Sequence, residues 1–383
     1  MQQVYLDNAA TTPLHPEVMA AVNEAMIHFA NPSSLHHLGA EAEKMVDRAR
    51  AEVAGLMNVP PANLVFTSGG TEANNLAIKG VLANSKRRGR LLTSAIEHPS
   101  VLEVYRRLAA EGWEVVKIPV DEQGQVLVAA LEEALAEPVL LVSIMAVNNE
   151  TGVIQPLDTL VQIVKERQPQ ALVHVDGVQA FGKIGFTPAR LGIDFATVSA
   201  HKIHGPKGIG ALYLARRDLI RPLFDGGAQE GALRSGTENV LGIVGFGRAA
   251  VLARDEFEQR LYRVKELQAQ LLKGLRELPC KVVSPAEAVP HIVAAAFPGF
   301  RGEILLQALS GHGVYVSTGA ACSGKKGNLS YVAKEIGLDE ETRIGLLRFS
   351  LSSVNTVAEI EYALAAINQV LADLAFVRGR RSR

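Results

Sequence analysis

The densest group of reactive side chains in the sequence is FATVSAHKIHGPKG, residues 195–208, where a strand-like run ends on Ser199, His201 and Lys202. A buried, unpaired ammonium is driven to shed its proton, so Ser199 and Lys202 cannot both be ordinary core residues at low cost. Lysine is also the side chain that loses its charge readily on desolvation, as imine chemistry with an aldehyde requires. Lys207, in GPKGIG, is the nearest competitor, and its Gly/Pro turn is expected to leave it exposed.

Other strand-like runs also end on polar residues. VFTSGGTEANN ends on Thr67 and Ser68, turns through Gly69 and Gly70 and opens a helix at Thr71. Backbone N–H groups of a glycine turn, together with a helix N-terminus, suit a phosphate. An ordinary helix cap, Thr71 with Glu72 in the first turn, accounts for the same residues equally well. ALVHVDGVQA ends on Asp176, which could hold a pyridine nitrogen protonated or serve as a salt-bridged or capping carboxylate. His98, in SAIEHPSV, could stack on a ring, move protons or be a satisfied surface histidine. An imine-forming lysine, a carboxylate for a pyridinium and a phosphate turn together describe a pyridoxal phosphate site.

These residues can meet only if the strand ends meet. From about residue 60 to 215 helical periodicity alternates with short β-branched runs. Strands are predicted at 63–67, 90–95, 113–119, 138–144, 171–176, 194–200 and 208–215, with helices such as 71–87 and 156–168 between them. This is the α/β rhythm of a mostly parallel sheet flanked by helices, which binds ligands at the carboxyl ends of its strands. Residues 237–278 read as one long helical stretch. Strand-like 280–284, 291–298, 313–317 and 345–352 follow, with helical 302–311, 330–337 and 356–377, as a smaller α+β unit. The expected division is a large domain at 15–255 and a small one formed by 1–14 with 256–383. The closing RGRRSR reads as a frayed, solvated tail. GIVGFG, residues 242–247, lies in a helical pattern and has the wrong spacing for a dinucleotide fingerprint, and GPKGIG lacks the ending of a P-loop.

Composition bounds the rest. The 383 residues are 48% hydrophobic and 21% charged, enough for a large core and two domains. A formal charge of −1 gives no global field for nucleic acid or anionic lipid. The opening MQQVYLDNAATTP has no basic and apolar leader pattern, and the longest uncharged apolar stretch, 138–149, is too short for a bilayer, so a cytoplasmic protein is expected. The two cysteines, Cys280 and Cys322, form no CxxC pair, which argues against a disulfide framework or a zinc site. Cys280 leads into an apolar run and reads as an inert buried thiol. Cys322 sits in VSTGAACSGKKGN, whose small residues and glycines predict a mobile loop.

Assembled, these residues resemble the NifS/IscS-type cysteine desulfurases of the class V aminotransferase superfamily. The resemblance spans nearly the whole chain through YLDNAATTP (5–13), NPSSLHHLG (31–39), FTSGGTEANNLAIKG (66–80), EHPSV (97–101), VNNETGVIQP (147–156), HVDGVQAFGK (174–183), SAHKIHGPKGIGALY (199–213), RSGTENV (234–240), STGAACS (317–323) and LRFSLS (347–352). It implies the type I fold of pyridoxal 5′-phosphate enzymes. It further implies that Lys202 holds the cofactor as an imine, Asp176 pairs with its ring nitrogen, His98 stacks on the ring and takes part in catalysis, and Gln179 and Asn149 touch the ring substituents. Gly70, Thr71, Ser199 and His201 would bind the phosphate, and Thr237 would reach the phosphate of a neighbouring subunit, which implies a homodimer. Arg348, assisted by Asn149, would clamp the substrate carboxylate, a task suited to a planar, bidentate donor. Cys322 would be the nucleophile that takes sulfur from L-cysteine as a persulfide and leaves alanine. Its sulfur acceptor would be an iron–sulfur scaffold, a tRNA-thiolation protein or cofactor biosynthesis. The segment after Cys322 resembles the longer-loop form of the family. Two departures stand out: His204 lies where a tyrosine is common, and SGKKG is more glycine-rich and basic than in the housekeeping members. The alternatives weighed against this reading are a selenocysteine lyase, a cysteine sulfinate desulfinase, an aminotransferase and a catalytically silent scaffold.

Overall fold

The computed structural model describes residues 2–85, 89–319 and 329–381, with side chains to Ala375. After a short strand β1 (Val4–Tyr5), the chain supplies β2 (Leu64–Thr67), β3 (Arg90–Ser94), β4 (Val115–Ile118), β5 (Val139–Ser143), β6 (Leu172–Asp176), β7 (Phe195–Ser199) and β8 (Gly210–Leu214) to one seven-stranded sheet. Its order is β4, β3, β5, β6, β7, β8, β2, and every pairing is parallel except those of β8. The exception has a simple cause. Residues 200–209 link β7 to β8, too few for the crossover of about a dozen or more residues that parallel strands require.

Helices α1 (Pro16–Ala25), α2 (His37–Met57), α3 (Gly70–Asn84), α4 (Pro99–Ala110), α5 (Val128–Ala134), α6 (Leu157–Arg167) and α7 (Val240–Asp255) flank this sheet. Side chains alternate across a strand, so neighbours go to opposite faces. Phe66, Leu92, Val142 and Ala196 pack towards Val53, Leu131, Leu160 and Phe246 of α2, α5, α6 and α7. Val65, Leu212 and Phe195 pack with Leu76 of α3, and Leu91 and Leu141 with Tyr105 of α4. The GIVGFG run is part of α7. There a Cβ on Gly245 would lie 2.5 Å from Pro206, and one on Gly247 2.8 Å from the backbone of Ala49, so these glycines admit close packing of α7.

The second core gathers Val4 and Leu6 with Leu267, Phe297, Leu305, Phe349 and Ile367. It surrounds an antiparallel sheet of β9 (Lys281–Val282), β10 (Ile292–Ala296) and β12 (Leu346–Ser350), in the order β12, β10, β9, and a parallel pair of β1 with β11 (Val314–Tyr315). Helices α8 (Phe257–Leu275), α9 (Gly302–Gly311) and α12 (Val357–Arg381) pack on this core, while α10 (Tyr331–Glu335) places Val332 in the first core and α11 (Glu340–Ile344) leads into β12. On this packing we propose the division between domains at residues 255 and 256. The expected single helix over 237–278 is two helices, because Glu256 takes φ −103° and ψ 12° between them. Of the tail expected to fray, residues 378–381 continue α12, since extending a formed helix costs far less than starting one, and 382–383 lie outside the described residues.

Candidate active site

The carboxyl ends of the parallel strands open into a cavity of about 250 Å3. It brings together Gly70, Thr71, His98, Asn149, Asp176, Gln179, Ser199, His201, Lys202 and Arg348, residues of both cores. Thr237 is exposed and lines none of this cavity. Cys322, with its predicted mobile loop, lies outside the described residues.

Lys202 stands on the short turn Ala200–Lys202 that caps β7. Its Nζ donates to the carbonyls of Ala9 and Ala10, each at 2.7 Å. Lys207 is exposed, as its Gly/Pro turn predicts. Asp176, at the end of β6, accepts from Asn74 Nδ2 at 2.8 Å and from the backbone N–H of Val178 at 3.0 Å. The turn-capping role and the position facing the cavity thus coexist in one carboxylate. Behind it, Asn74 Oδ1 meets His174 Nε2 at 3.1 Å, and His174 Nδ1 meets Ser143 Oγ at 3.0 Å. Burial pushes His174 down to about 4, so its ring is neutral at pH 7 and the chain of hydrogen bonds carries no second charge.

His98 is the N-cap of α4, ahead of Pro99, and its Nδ1 accepts from the N–H of Ser100 at 3.1 Å. Holding a ring nitrogen this way fixes the imidazole over the cavity. Burial lowers its pKa, Asp176 opposes that shift and Lys202 reinforces it. His201 is pushed down to about 4 by burial and then by Lys202, Lys207 and Lys183, and its Nδ1 meets Thr11 Oγ1 at 3.2 Å. Gln179 donates to the Ala9 carbonyl at 2.9 Å and accepts from Lys183 at 3.2 Å. His204, the departure noted above, has φ 67° and bridges segments: its Nδ1 meets the Pro13 carbonyl at 2.9 Å and its Nε2 meets Ser352 Oγ at 2.8 Å.

Arg348 enters from β12. It donates to Asp7 Oδ1 and to the Asn149 carbonyl, both at 2.7 Å, and its Nε has no hydrogen-bond partner among the described residues. Cys280 is half-buried, donates to the Leu275 carbonyl at 3.1 Å and has its pKa raised by burial, in keeping with an inert thiol.

Several site residues escape a reading of strand ends alone. Asp7, Asn74 and Glu150 lie inside the motifs quoted above, yet only the folded chain gives them partners. Glu97 is deeply buried. Its Oε1 accepts from Ser94 Oγ at 2.6 Å and from the N–H of Met145 at 2.5 Å, while Oε2 has no partner among the described residues. Burial pushes its carboxyl up to about 8.

The cavity can be tested for fit to pyridoxal 5′-phosphate. Buried polar groups are normally hydrogen-bonded, so exceptions mark places where another molecule belongs. Ser199 Oγ and Asn149 Oδ1 are buried and unpartnered among the described residues, and both residues line the cavity. Gly69 takes φ 152° and ψ −179°, a conformation essentially restricted to glycine, and turns the chain into the N-terminus of α3 beside Ser199. A hydroxyl, a helix N-terminus and a neutral imidazole at one end, with a carboxylate and a lysine further in, fit a phosphorylated pyridine aldehyde.

A sheet of this order, with a lysine at the end of β7 and a carboxylate at the end of β6, has the type I architecture, and the chain belongs to the class V aminotransferase family. The family signature, aminotransferase class-V, matches residues 4–363, and members of this family in general use pyridoxal phosphate. Among relatives, the cysteine desulfurase IscS of Methanosarcina thermophila is 38% identical over 375 residues, covering 97% of this chain and 92% of the relative. Among solved structures, a NifS-like protein matches with TM-score 0.92 at 40% identity over 97% of this chain and 100% of its own. SspA in complex with cysteine matches with TM-score 0.81 at 31% identity over 92% of this chain and 100% of its own.

Proposed function

We propose that this protein is a cysteine desulfurase that converts L-cysteine to L-alanine and retains the sulfur as a persulfide on Cys322. The observation that carries this reading is the single cavity shared by Lys202, Asp176, Ser199 and Arg348. Asp176 would face the pyridine nitrogen; Gly70, Thr71, Ser199 and His201 would hold the phosphate; Gln179 and Asn149 would meet the ring substituents. Bound there, pyridoxal 5′-phosphate supplies an electron sink that makes the substrate Cα–H acidic and its Cβ–S bond cleavable.

The protein's own groups supply the rest. Lys202 takes the α-proton and returns it, moving between the Ala9 and Ala10 carbonyls and the substrate. His98, pinned by its cap bond, would cover the ring, and because Nδ1 accepts from Ser100 its proton sits on Nε2, from which it can be donated. Arg348 presents its remaining N–H groups to the substrate carboxylate while Asp7 and Asn149 hold the guanidinium in place. The thiolate of Cys322 attacks the substrate sulfur. One S–S bond forms, the Cβ–S bond breaks, its electron pair passes to the carbon side, and Cβ gains a proton. Cysteine plus thiol gives alanine plus persulfide with no external oxidant or reductant.

Thr237 is exposed and outside its own chain's cavity, and Met26, Ile27, Phe29, Leu35 and Leu38 form an exposed apolar run next to α1 and α2. Both features support a homodimer in which Thr237 serves the partner subunit's site. Among the described residues no helix is long and apolar enough to cross a membrane. We place the enzyme in the cytoplasm, handing sulfur to an iron–sulfur scaffold or a tRNA-thiolation protein.

The deciding experiment is peptide mass mapping after incubation with L-cysteine and no reductant. One additional sulfur on Cys322, with alanine released, is the expected result. Alanine with Cys322 unmodified would replace the desulfurase reading with a lyase that releases sulfur directly.

A further inference from the structure

Asn149 touches the site, and the residue after it is a buried carboxylate that the reaction above does not use. Glu150 is 4% exposed. Its backbone N–H donates to Asn148 Oδ1 at 2.9 Å, and Thr151 donates to the same oxygen from its N–H at 3.0 Å, so the turn 148–151 is rigidly tied. The preceding carbonyl, that of Asn149, accepts from Arg348 at 2.7 Å. A peptide whose amide and carbonyl are both fixed gives the Glu150 side chain one direction to follow.

That direction leads to two residues far along the chain. Ser330 Oγ donates to Glu150 Oε2 at 2.5 Å and accepts from the N–H of Ala333 at 2.9 Å, capping α10. Gly319 lies against the same oxygen: a Cβ there would stand 2.3 Å from Oε2 and 3.4 Å from the Cβ of Ser330. One carboxylate oxygen therefore bonds Ser330 and lies against Gly319, residues on either side of the stretch containing Cys322, with Leu329 between Ser330 and that stretch. Gly319 is also anchored from behind, because Ser317 exchanges backbone hydrogen bonds with Arg348, at 3.1 and 2.7 Å. Burying a carboxyl costs free energy, and burial pushes this one up to about 7, with Ser330 and then Arg348 opposing the rise. A merely structural contact between a turn and a helix cap could be made by an apolar pair at lower cost.

We propose that Glu150 is a positioning residue for sulfur transfer: by bonding Ser330 and packing against Gly319 beside Asn149 and Arg348, it fixes the described flanks of the Cys322 stretch next to the substrate site. The proposal rests on the desulfurase reading. It concerns the step in which Cys322 forms the S–S bond as the substrate Cβ–S bond breaks, and it leaves binding of L-cysteine to Arg348 and Lys202.

The test uses holoenzyme and two readouts that a general loss of structure would move together. One is the change in cofactor absorbance on adding L-cysteine, which reports substrate engagement. The other is the single-turnover rate of persulfide formation on Cys322, from peptide mass mapping. Glu150→Ala is expected to keep the L-cysteine concentration for half-maximal absorbance change within about threefold while slowing persulfide formation at least about tenfold, the factor for one lost hydrogen bond to a charged group. Glu150→Gln, whose carbonyl can still accept from Ser330, should recover most of that rate. Ser330→Ala cuts the same bond from the other side and should show the same split, which keeps the test available if Glu150→Ala does not fold. Unchanged persulfide formation in Glu150→Ala or Ser330→Ala overturns the proposal. So does a parallel loss of the absorbance response, which would assign Glu150 to the substrate pocket. If the unaltered enzyme puts no sulfur on Cys322, the desulfurase reading itself fails, an outcome separate from either of these.

Discussion

Replacing Arg348 with alanine should damage turnover of L-cysteine in a way that depends on the substrate's carboxylate. The guanidinium has five N–H groups. One goes to Asp7 and one to Asn149, leaving enough for a two-pronged grip on a carboxylate. Two charge-assisted hydrogen bonds contribute about 1.5–3 kcal/mol each, or about 3–6 kcal/mol together. At about 1.4 kcal/mol per factor of ten, kcat/KM for L-cysteine should fall by about 10²–10⁴. Asp7 is left without its partner, but its side chain is 22% exposed, so water can take up the freed oxygen and the fold should survive. The assay measures alanine formation from L-cysteine alongside conversion of cysteamine, which keeps the thiol and amine and lacks the carboxylate. Arg348→Ala should lose far less on cysteamine than on L-cysteine, and the difference isolates the carboxylate contact in the manner of a double-mutant cycle. Arg348→Lys should fall between, because an ammonium keeps the charge without the fork. A loss below tenfold on L-cysteine, or equal losses on both substrates, would refute the assignment.

Ser199→Ala removes a buried hydroxyl that has no partner among the described residues, so stability of the cofactor-free protein should hold or rise slightly, while affinity for pyridoxal phosphate should drop by about 10- to 100-fold, one hydrogen bond to a charged group; an unchanged titration curve would sink the phosphate assignment. Glu97 keeps a proton in the folded state up to about 8 that the unfolded chain loses near 4.5. Wild-type stability should therefore decline as pH rises across that window and level off above it. Glu97→Gln should gain melting temperature relative to wild type over the same window, and parallel curves would show the carboxyl does not titrate there. Cys280→Ser should leave persulfide on Cys322 at wild-type levels and cost no more than about 1.5 kcal/mol in denaturant melts, the worth of a hydrogen bond; loss of persulfide would give Cys280 a role in relaying sulfur.

The residues legible from sequence are those whose meaning is local. Asp176, Ser199 and Lys202 announce themselves as polar ends of apolar strands, and the parallel sheet then puts them on one edge without further information. The Gly69–Gly70 turn is legible because its conformation belongs to glycine. What stays hidden is set by distance along the chain. Nothing near Asp7 indicates that it seats Arg348, and nothing near Glu150 points to Ser330. His174 reads as a strand interior, and only its bond to Asn74 turns it into support for Asp176. The single helix expected over 237–278 fails for a related reason: its amphipathic pattern continues through Glu256, but α7 packs on the first core and α8 on the second, so the axis must break between them.

The pairing of Asp7 with Arg348 also has a schedule. During synthesis, 341 residues separate the two partners. At about 5–20 residues per second the ribosome needs roughly 20–70 s to deliver the second after the first. Through most of that interval β1 has no β11 to pair with, and Ala9, although Gln179 can already reach its carbonyl, lacks the bond from its own N–H to Ser350 Oγ until β12 is made. The sheet from β2 to β8 can form meanwhile, complete with its lysine, yet the enzyme stays inert until the last strand arrives to recruit the first. Activity in this protein thus waits on the synthesis of β12, and a nascent chain stalled before residue 346 would hold its first core and stay catalytically silent.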